Sequence, residues 1–86
     1  MPAYANFNAD EGSTSGSVTI TFDWKARHIV ITNDSGSKDL EFKFQPGQDF
    51  ATLKPTETIS LYLHSQTVIL NSPSAGTVPY RVWGWG

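Results

Sequence analysis

Alternation of apolar and polar residues is the feature that most constrains how this chain can fold. Within residues 17–24, an extended backbone would direct four apolar side chains to one side: Val18, Ile20, Phe22 and Trp24. The residues between them carry hydroxyl or carboxylate groups and would face the other side. A period of two predicts a β-strand with one buried face and one face in water.

Two further segments predict strands separated by a polar turn. Residues 27–34 are apolar on both faces, which favours a position inside a sheet, and residues 40–44 alternate cleanly. The run between them, residues 33–38, is rich in Asn, Asp, Ser and Gly, the residue types that favour turns. We therefore expect these two strands to form a hairpin.

The second half of the chain repeats the pattern. After a turn at Pro55, residues 58–63 and 67–70 are predicted to be strands that pair with each other. The last predicted strand covers residues 78–85. Because Pro79 has no amide donor, we expect that strand to start at a sheet edge.

Together these signals predict an all-β domain. No segment has apolar residues at helical spacing over helical length, and six or seven short strands with frequent turns indicate a small antiparallel β-sandwich or barrel. The predicted domain covers residues 17–86. Residues 1–16 have neither period and are predicted to be an extended N-terminal arm, which either docks Tyr4 and Phe7 onto a neighbour or stays flexible.

Composition excludes several classes of function. The chain has 86 residues and no cysteine, so it makes one domain without disulfides or thiolate zinc sites. Its net charge is −2 and its six basic residues are scattered, which argues against nucleic acid as a partner. No apolar run approaches the ~20 residues of a membrane helix, so we expect no membrane association. A core this small favours homo-oligomerisation as a source of stability.

Catalytic arrangements are also missing from the sequence. The two histidines, His28 and His64, are too far apart in the chain to form a local ligand pair, and no serine lies in a Gly-x-Ser-x-Gly elbow. The carboxylates fall mostly in predicted turns or on wet strand faces. We therefore expect no enzyme activity, no catalytic residue, no metal site and no cofactor.

The C-terminal segment VPYRVWGWG (78–86) places large side chains on both faces of a strand. Val78, Tyr80 and Val82 would share one face, and Arg81, Trp83 and Trp85 the other. Tryptophan and arginine are enriched at interface hot spots. The residues alone leave three uses open for the tryptophan face: the second face of a sandwich core, a contact with a neighbouring subunit, or a stacking platform for sugar.

Four motifs in residues 27–86 resemble small virion proteins of tailed bacteriophages. They are IVITNDS (29–35), TLKPTETISL (52–61), VIL (68–70) and YRVWGWG (80–86). The resembled proteins include capsid decoration (cement) proteins and tail-associated components. The motifs describe turns and core strands rather than a reactive site.

The resemblance implies a capsid decoration protein located in the virion, in which trimers bind between subunits of the major capsid protein and stabilise the shell by mass action. The alternatives are a tail, baseplate or fibre-attachment component and, from a different class, a carbohydrate-binding module. On this hypothesis the partner contacts come from two groups of residues: Tyr4 and Phe7 of the arm, and Tyr80, Arg81, Trp83 and Trp85 of the last strand.

Overall fold

The computed structural model describes residues 6–86, so Tyr4 lies outside the described residues. Within that range the all-β prediction is confirmed. Eight strands follow one another: β1 (Phe7–Thr14), β2 (Ser17–Ala26), β3 (His28–Asn33), β4 (Leu40–Lys43), β5 (Ala51–Leu53), β6 (Thr58–Leu61), β7 (Ser65–Asn71) and β8 (Val78–Trp85). No helix in residues 6–86 is long and apolar enough to cross a membrane.

The strands form two antiparallel sheets of four, packed as a small sandwich. Sheet I has the order β1-β8-β3-β6, and sheet II has the order β2-β7-β4-β5. Most consecutive strands lie in different sheets, and β4 and β5 are the consecutive pair that hydrogen-bond to each other in the described chain. The chain therefore winds back and forth between the two layers.

This topology corrects two predicted pairings. The hairpin expected from residues 27–34 and 40–44 is wrong, because β3 belongs to sheet I and β4 to sheet II. The predicted pairing of residues 58–63 with 67–70 is wrong for the same reason, since β6 pairs with β3 while β7 pairs with β2 and β4. A short polar loop can cross between layers as readily as it can close a hairpin.

A buried asparagine shows how one such crossing is held. Asn33, at the end of β3, is fully buried, and its side-chain amide donates to the carbonyls of Lys38 at 2.8 Å and Leu53 at 3.0 Å. Its carbonyl oxygen accepts from the backbone N–H of Ser35 at 2.9 Å. One side chain thereby ties the end of a sheet I strand to β5 of sheet II.

The C-terminal strand lies inside sheet I rather than at its edge. β8 pairs with β1 from Val78 to Trp85 and with β3 from Tyr80 to Trp85. The edge expected from Pro79 is thus limited to the start of the strand, where Val78 and Pro79 pair with β1 alone. The Pro79 carbonyl accepts from the N–H of Asp34 at 3.0 Å. Residues 7–14, part of the predicted arm, form β1 and pair with β8 of the same chain.

The space between the sheets is filled with apolar side chains. They come from both layers and include Phe22, Ile29, Ile31, Leu70, Val78 and Val82, each at most 2% exposed. Among residues 6–86 no cavity opens in this interior. Every buried side-chain nitrogen or oxygen in the described chain has a hydrogen-bond partner. The sandwich is thus a packed core, as is usual for small barrels and sandwiches.

Candidate interaction surface

The two sheets differ in what they present to solvent. The outer side of sheet II is polar, with exposed Thr19 and Thr21 and a linked pair in which Asn71 donates to Glu41 at 2.8 Å. Ile69 also lies on that side but is only 8% exposed. An antiparallel sheet with one face on the core ordinarily has such a wet outer face. We call this side the polar face.

The outer side of sheet I carries aromatic side chains instead. Along β8, Val78, Tyr80 and Val82 are buried, while Trp83 and Trp85 point outward and are half-buried. The predicted division of this strand into two faces is therefore confirmed. We call the outer side of sheet I the aromatic face, defined by six residues: Phe7, His28, Val30, Tyr62, Trp83 and Trp85.

Strand register brings four of these rings into one row across the sheet. Trp85 of β8 lies opposite Phe7 of β1 and opposite His28 of β3. The ring centroids are 5.1 Å apart for Phe7–Trp85, 4.9 Å for Trp85–His28 and 4.2 Å for His28–Tyr62. The row therefore spans the sheet from β1 at one edge to the residue that follows β6 at the other.

Trp83 makes a second set of contacts, two residues along the strand from Trp85. Trp83 stands opposite Ala9 and Val30, with its ring edge-to-face against Trp85 at 6.5 Å between centroids. Its indole N–H donates to Glu11 Oε2 at 3.1 Å. The tryptophan is thus held on both its ring and its polar atom.

At the far end of the aromatic face the charged groups are already paired. Arg81 binds Asp34 through two bonds, Nε to Oδ2 at 2.9 Å and Nη2 to Oδ1 at 3.0 Å, and its guanidinium lies 5.6 Å from the Trp83 ring. The hydrogen bond to Asp34 and that carboxylate's charge raise the pKa of Arg81 above its ordinary value. Arg81 is therefore a fixed, locally neutralised cation.

The structure brings together most of the residues predicted to contact a partner. Phe7, Arg81, Trp83 and Trp85 share the outer side of sheet I. Tyr80 does not join them, because it points into the core and is 6% exposed. Burial, with a contribution from the charge of Asp10, raises the pKa of its phenol.

Sequence reasoning missed His28 and Tyr62. His28 Nε2 lies 2.7 Å from Ser60 Oγ, and its ring is stacked between those of Tyr62 and Trp85. The alternation of apolar and polar residues around His28 and around Tyr62 predicts that both side chains face outward. Their contact with Trp85 could not be predicted, because it depends on which strands are neighbours in the sheet.

Side chains fill the interior of the described part of the chain, residues 6–86. The barrel axis is occupied by packed apolar side chains, and no group of three His, Asp or Glu side chains in residues 6–86 could hold a metal ion. His28 faces outward, and His64 is an exposed residue that follows β6.

Solved structures with this fold are cupin-like double-stranded β-helices. The cupin_2 domain of an XRE family transcriptional regulator from Enterobacter cloacae has a TM-score of 0.66 and 16% identity, covering 91% of this chain and 79% of that one. A de novo designed double-stranded β-helix has a TM-score of 0.61 and 17% identity, with 90% and 97% covered. A cupin-2 domain protein from Shewanella frigidimarina has a TM-score of 0.57 and 12% identity, with 95% and 72% covered.

At these identities the likeness defines the fold alone: this chain has the fold of a small double-stranded β-helix. No protein-family model matches the sequence, and no curated protein matches it.

These neighbours correct the resemblance to phage virion proteins. That identification is wrong, since the similar structures are cupin-like domains and a designed β-helix. The capsid decoration function, its tail and carbohydrate-binding alternatives, and the virion location are overturned with it. The major capsid protein as partner loses the resemblance on which it rested, whereas homo-oligomerisation, argued from chain size, stays a prediction.

Proposed function

We propose that this chain is a protein-binding module that acts through the aromatic face of sheet I, and that it is not an enzyme. The observation that carries the proposal is the row of rings Phe7–Trp85–His28–Tyr62 on the solvent side of a sheet. A sandwich that works alone in water has polar residues on the outer side of both sheets. Here sheet II has such an outer side, whereas sheet I does not.

The exposed part of the row is energetically substantial. Phe7 is 56% exposed and Tyr62 is 76% exposed. A ring of this size has roughly 150–250 Å² to bury, so covering these two contributes about 5 kcal/mol before the costs of association are subtracted. Aromatic residues and arginine are also the types enriched at the centres of protein interfaces.

The polar groups of the aromatic face favour a protein partner over nucleic acid. Arg81 is neutralised by Asp34, and the indole of Trp83 is bonded to Glu11. A surface that tracks a phosphate backbone combines stacking rings with unpaired positive charge. Here the rings are present while the cation is paired, which suits an uncharged protein surface.

The packed interior supports a binding role rather than a catalytic one. Binding and active sites for small molecules are concave and enclose most of their ligand. In residues 6–86 the apolar side chains fill that space instead. The aromatic face is open and nearly continuous, which is the shape that a partner protein can cover.

The proposal is tested by hydroxyl-radical oxidation of aromatic residues in the cells that make the chain, read residue by residue by mass spectrometry. The reference is the same oxidation on dilute purified protein. We expect several-fold lower oxidation of Phe7 and Tyr62 in cells. Phe50, which lies beside Lys43 next to sheet II, should oxidise equally in both samples. Equal oxidation of Phe7 and Tyr62 in both samples, after scaling on Phe50, would overturn the proposal.

A further inference from the structure

We infer that the partner is a second copy of this chain, which packs its own aromatic face against the first across a two-fold axis. The inference rests on the proposed function, since it names the occupant of the same surface. Three features of the face support it: its charge balance, its size, and the fact that the described chain has one such face.

Charge balance on the face suits an identical partner. The polar atoms there are satisfied within the chain, by Arg81 with Asp34, by Trp83 with Glu11, and by His28 with Ser60. A surface selected for an oppositely charged partner carries an excess of one sign, because complementary potentials steer such pairs together. The Arg81–Asp34 pair is neutral as a unit, whereas Glu11 keeps its negative charge on the edge strand β1. Two copies can therefore bring their rows of rings together with a single uncompensated carboxylate per chain, at the rim of the face.

The size of the face is in the range of a small dimer interface. Strands of 8, 8, 6 and 4 residues, about 4.8 Å apart, give a surface on the order of 400 Å² in projection, and more in accessible area because the rings stand above the sheet. Stable interfaces begin near 600–800 Å² per partner. The chain exposes 4839 Å² in all, so such a contact would cover roughly one seventh of it.

Symmetry favours two copies over the trimer implied by the resemblance to decoration proteins. A two-fold contact uses the same patch on both chains and closes at the dimer. A ring of three needs two different patches that fit each other. In residues 6–86 the other sheet has a polar exterior, with Thr19, Thr21 and the Asn71–Glu41 pair on it, so one apolar patch is available for each chain.

The test is sedimentation velocity of the full chain from micromolar to millimolar concentration. We expect a concentration-dependent shift from the 9.5 kDa chain to a species of twice that mass. Tyr62→Arg should raise the dimer dissociation constant by about tenfold or more, because it replaces an exposed ring of the contact by a charged guanidinium that loses its water on burial. Thr21→Arg, on the exposed polar face, is the matched control and should leave the dimer intact. Thermal unfolding of both variants checks that they fold; Tyr62→Ser provides a second, uncharged truncation.

Each outcome decides the inference. Dimers that dissociate in Tyr62→Arg but persist in Thr21→Arg would support it. A species of three or more chains, or a dimer that withstands the Tyr62 substitutions, would overturn it. A chain that stays monomeric while Phe7 and Tyr62 are protected in cells would overturn the second copy as partner and leave the proposed function with a different protein. A monomer without that protection would overturn both.

Discussion

Replacing Gly84 by alanine adds one methyl group where β8 of sheet I lies against the ring of Phe22 of sheet II. Gly84 lies between Trp83 and Trp85 but faces the core. A Cβ atom there would lie 2.7 Å from Cζ, 2.9 Å from Cε1 and 3.2 Å from Cε2 of Phe22. The Phe22 ring is 2% exposed and stacks on Trp24 with 5.3 Å between centroids, so it has little room to withdraw.

The magnitude follows from two opposing effects. Overpacking a close-packed core by one methyl group costs about 1–3 kcal/mol. Alanine is favoured over glycine by about 0.5–1 kcal/mol in a strand because it loses less backbone entropy. The net expectation is a loss of about 1–2 kcal/mol, which for a domain of this size lowers Tm by about 5–15 °C. The glycine between the tryptophans is thus explained by the ring packed beneath it.

The assay is thermal unfolding followed by circular dichroism, with Gly36→Ala as the control. A Cβ at Gly36 meets no atom within 4 Å, so that variant should stay within about 0.5 kcal/mol of the parent. Phe22→Leu in the Gly84→Ala background should cost less than Phe22→Leu alone, because the shorter side chain relieves the clash. Equal Tm values for Gly84→Ala and Gly36→Ala would refute the packing described for Phe22.

Three further predictions follow from individual contacts. Asn33→Ala leaves the buried carbonyl of Leu53, the partly buried carbonyl of Lys38 and the N–H of Ser35 without their partner, and it should cost about 2–4 kcal/mol in urea unfolding. A loss no larger than that of an ordinary surface substitution would contradict the tie between sheets. Arg81→Ala should change stability no more than an ordinary surface substitution does, because an ion pair in contact with solvent, here with side chains 41% and 33% exposed, is screened. The same unfolding curves measure it. The pKa of Tyr80 is raised in the folded chain, so the unfolded chain loses the phenolic proton at lower pH than the folded chain does. The free energy of unfolding therefore falls as pH rises past about 10. Tyr80→Phe should flatten that decline, and an unchanged decline would show that Tyr80 is not its source.

Local features of the fold were predictable because alternation is a property of single strands. The outward direction of Trp83 and Trp85, and the inward direction of Val78 and Val82, follow from a period of two within one extended segment. The central position of β3 likewise followed from its apolar character on both sides. These inferences needed no knowledge of partner strands.

Strand pairing was not predictable by the same means. β1 lacks alternation because it lies at an edge of sheet I and is mostly exposed on both sides. Pro79 indicated a sheet edge at the start of the last strand, but nothing in the sequence indicated that β1 pairs with β8 along its whole length. The hairpin expected around residues 33–38 failed because the contacts of Asn33 carry the chain to the other sheet, and these contacts join residues up to 20 positions apart.

The residues of the aromatic face also differ in whether a single strand was enough to predict them. Trp83, Trp85 and Arg81 were found from one strand, and Phe7 from its isolated position in the N-terminal segment. His28 and Tyr62 required the register between β8, β3 and the end of β6. Motif resemblance pointed to the wrong class of protein because its motifs describe turns and core strands, which unrelated β-sandwiches can share.

The measurement that bears most directly on this account is the oxidation rate of Tyr62 in cells relative to that of Phe50, compared with the same ratio in dilute purified protein. Cover by a protein partner predicts a several-fold lower ratio in cells. An unchanged ratio would mean that the row of rings on sheet I stays in water where the chain works, and would contradict the account.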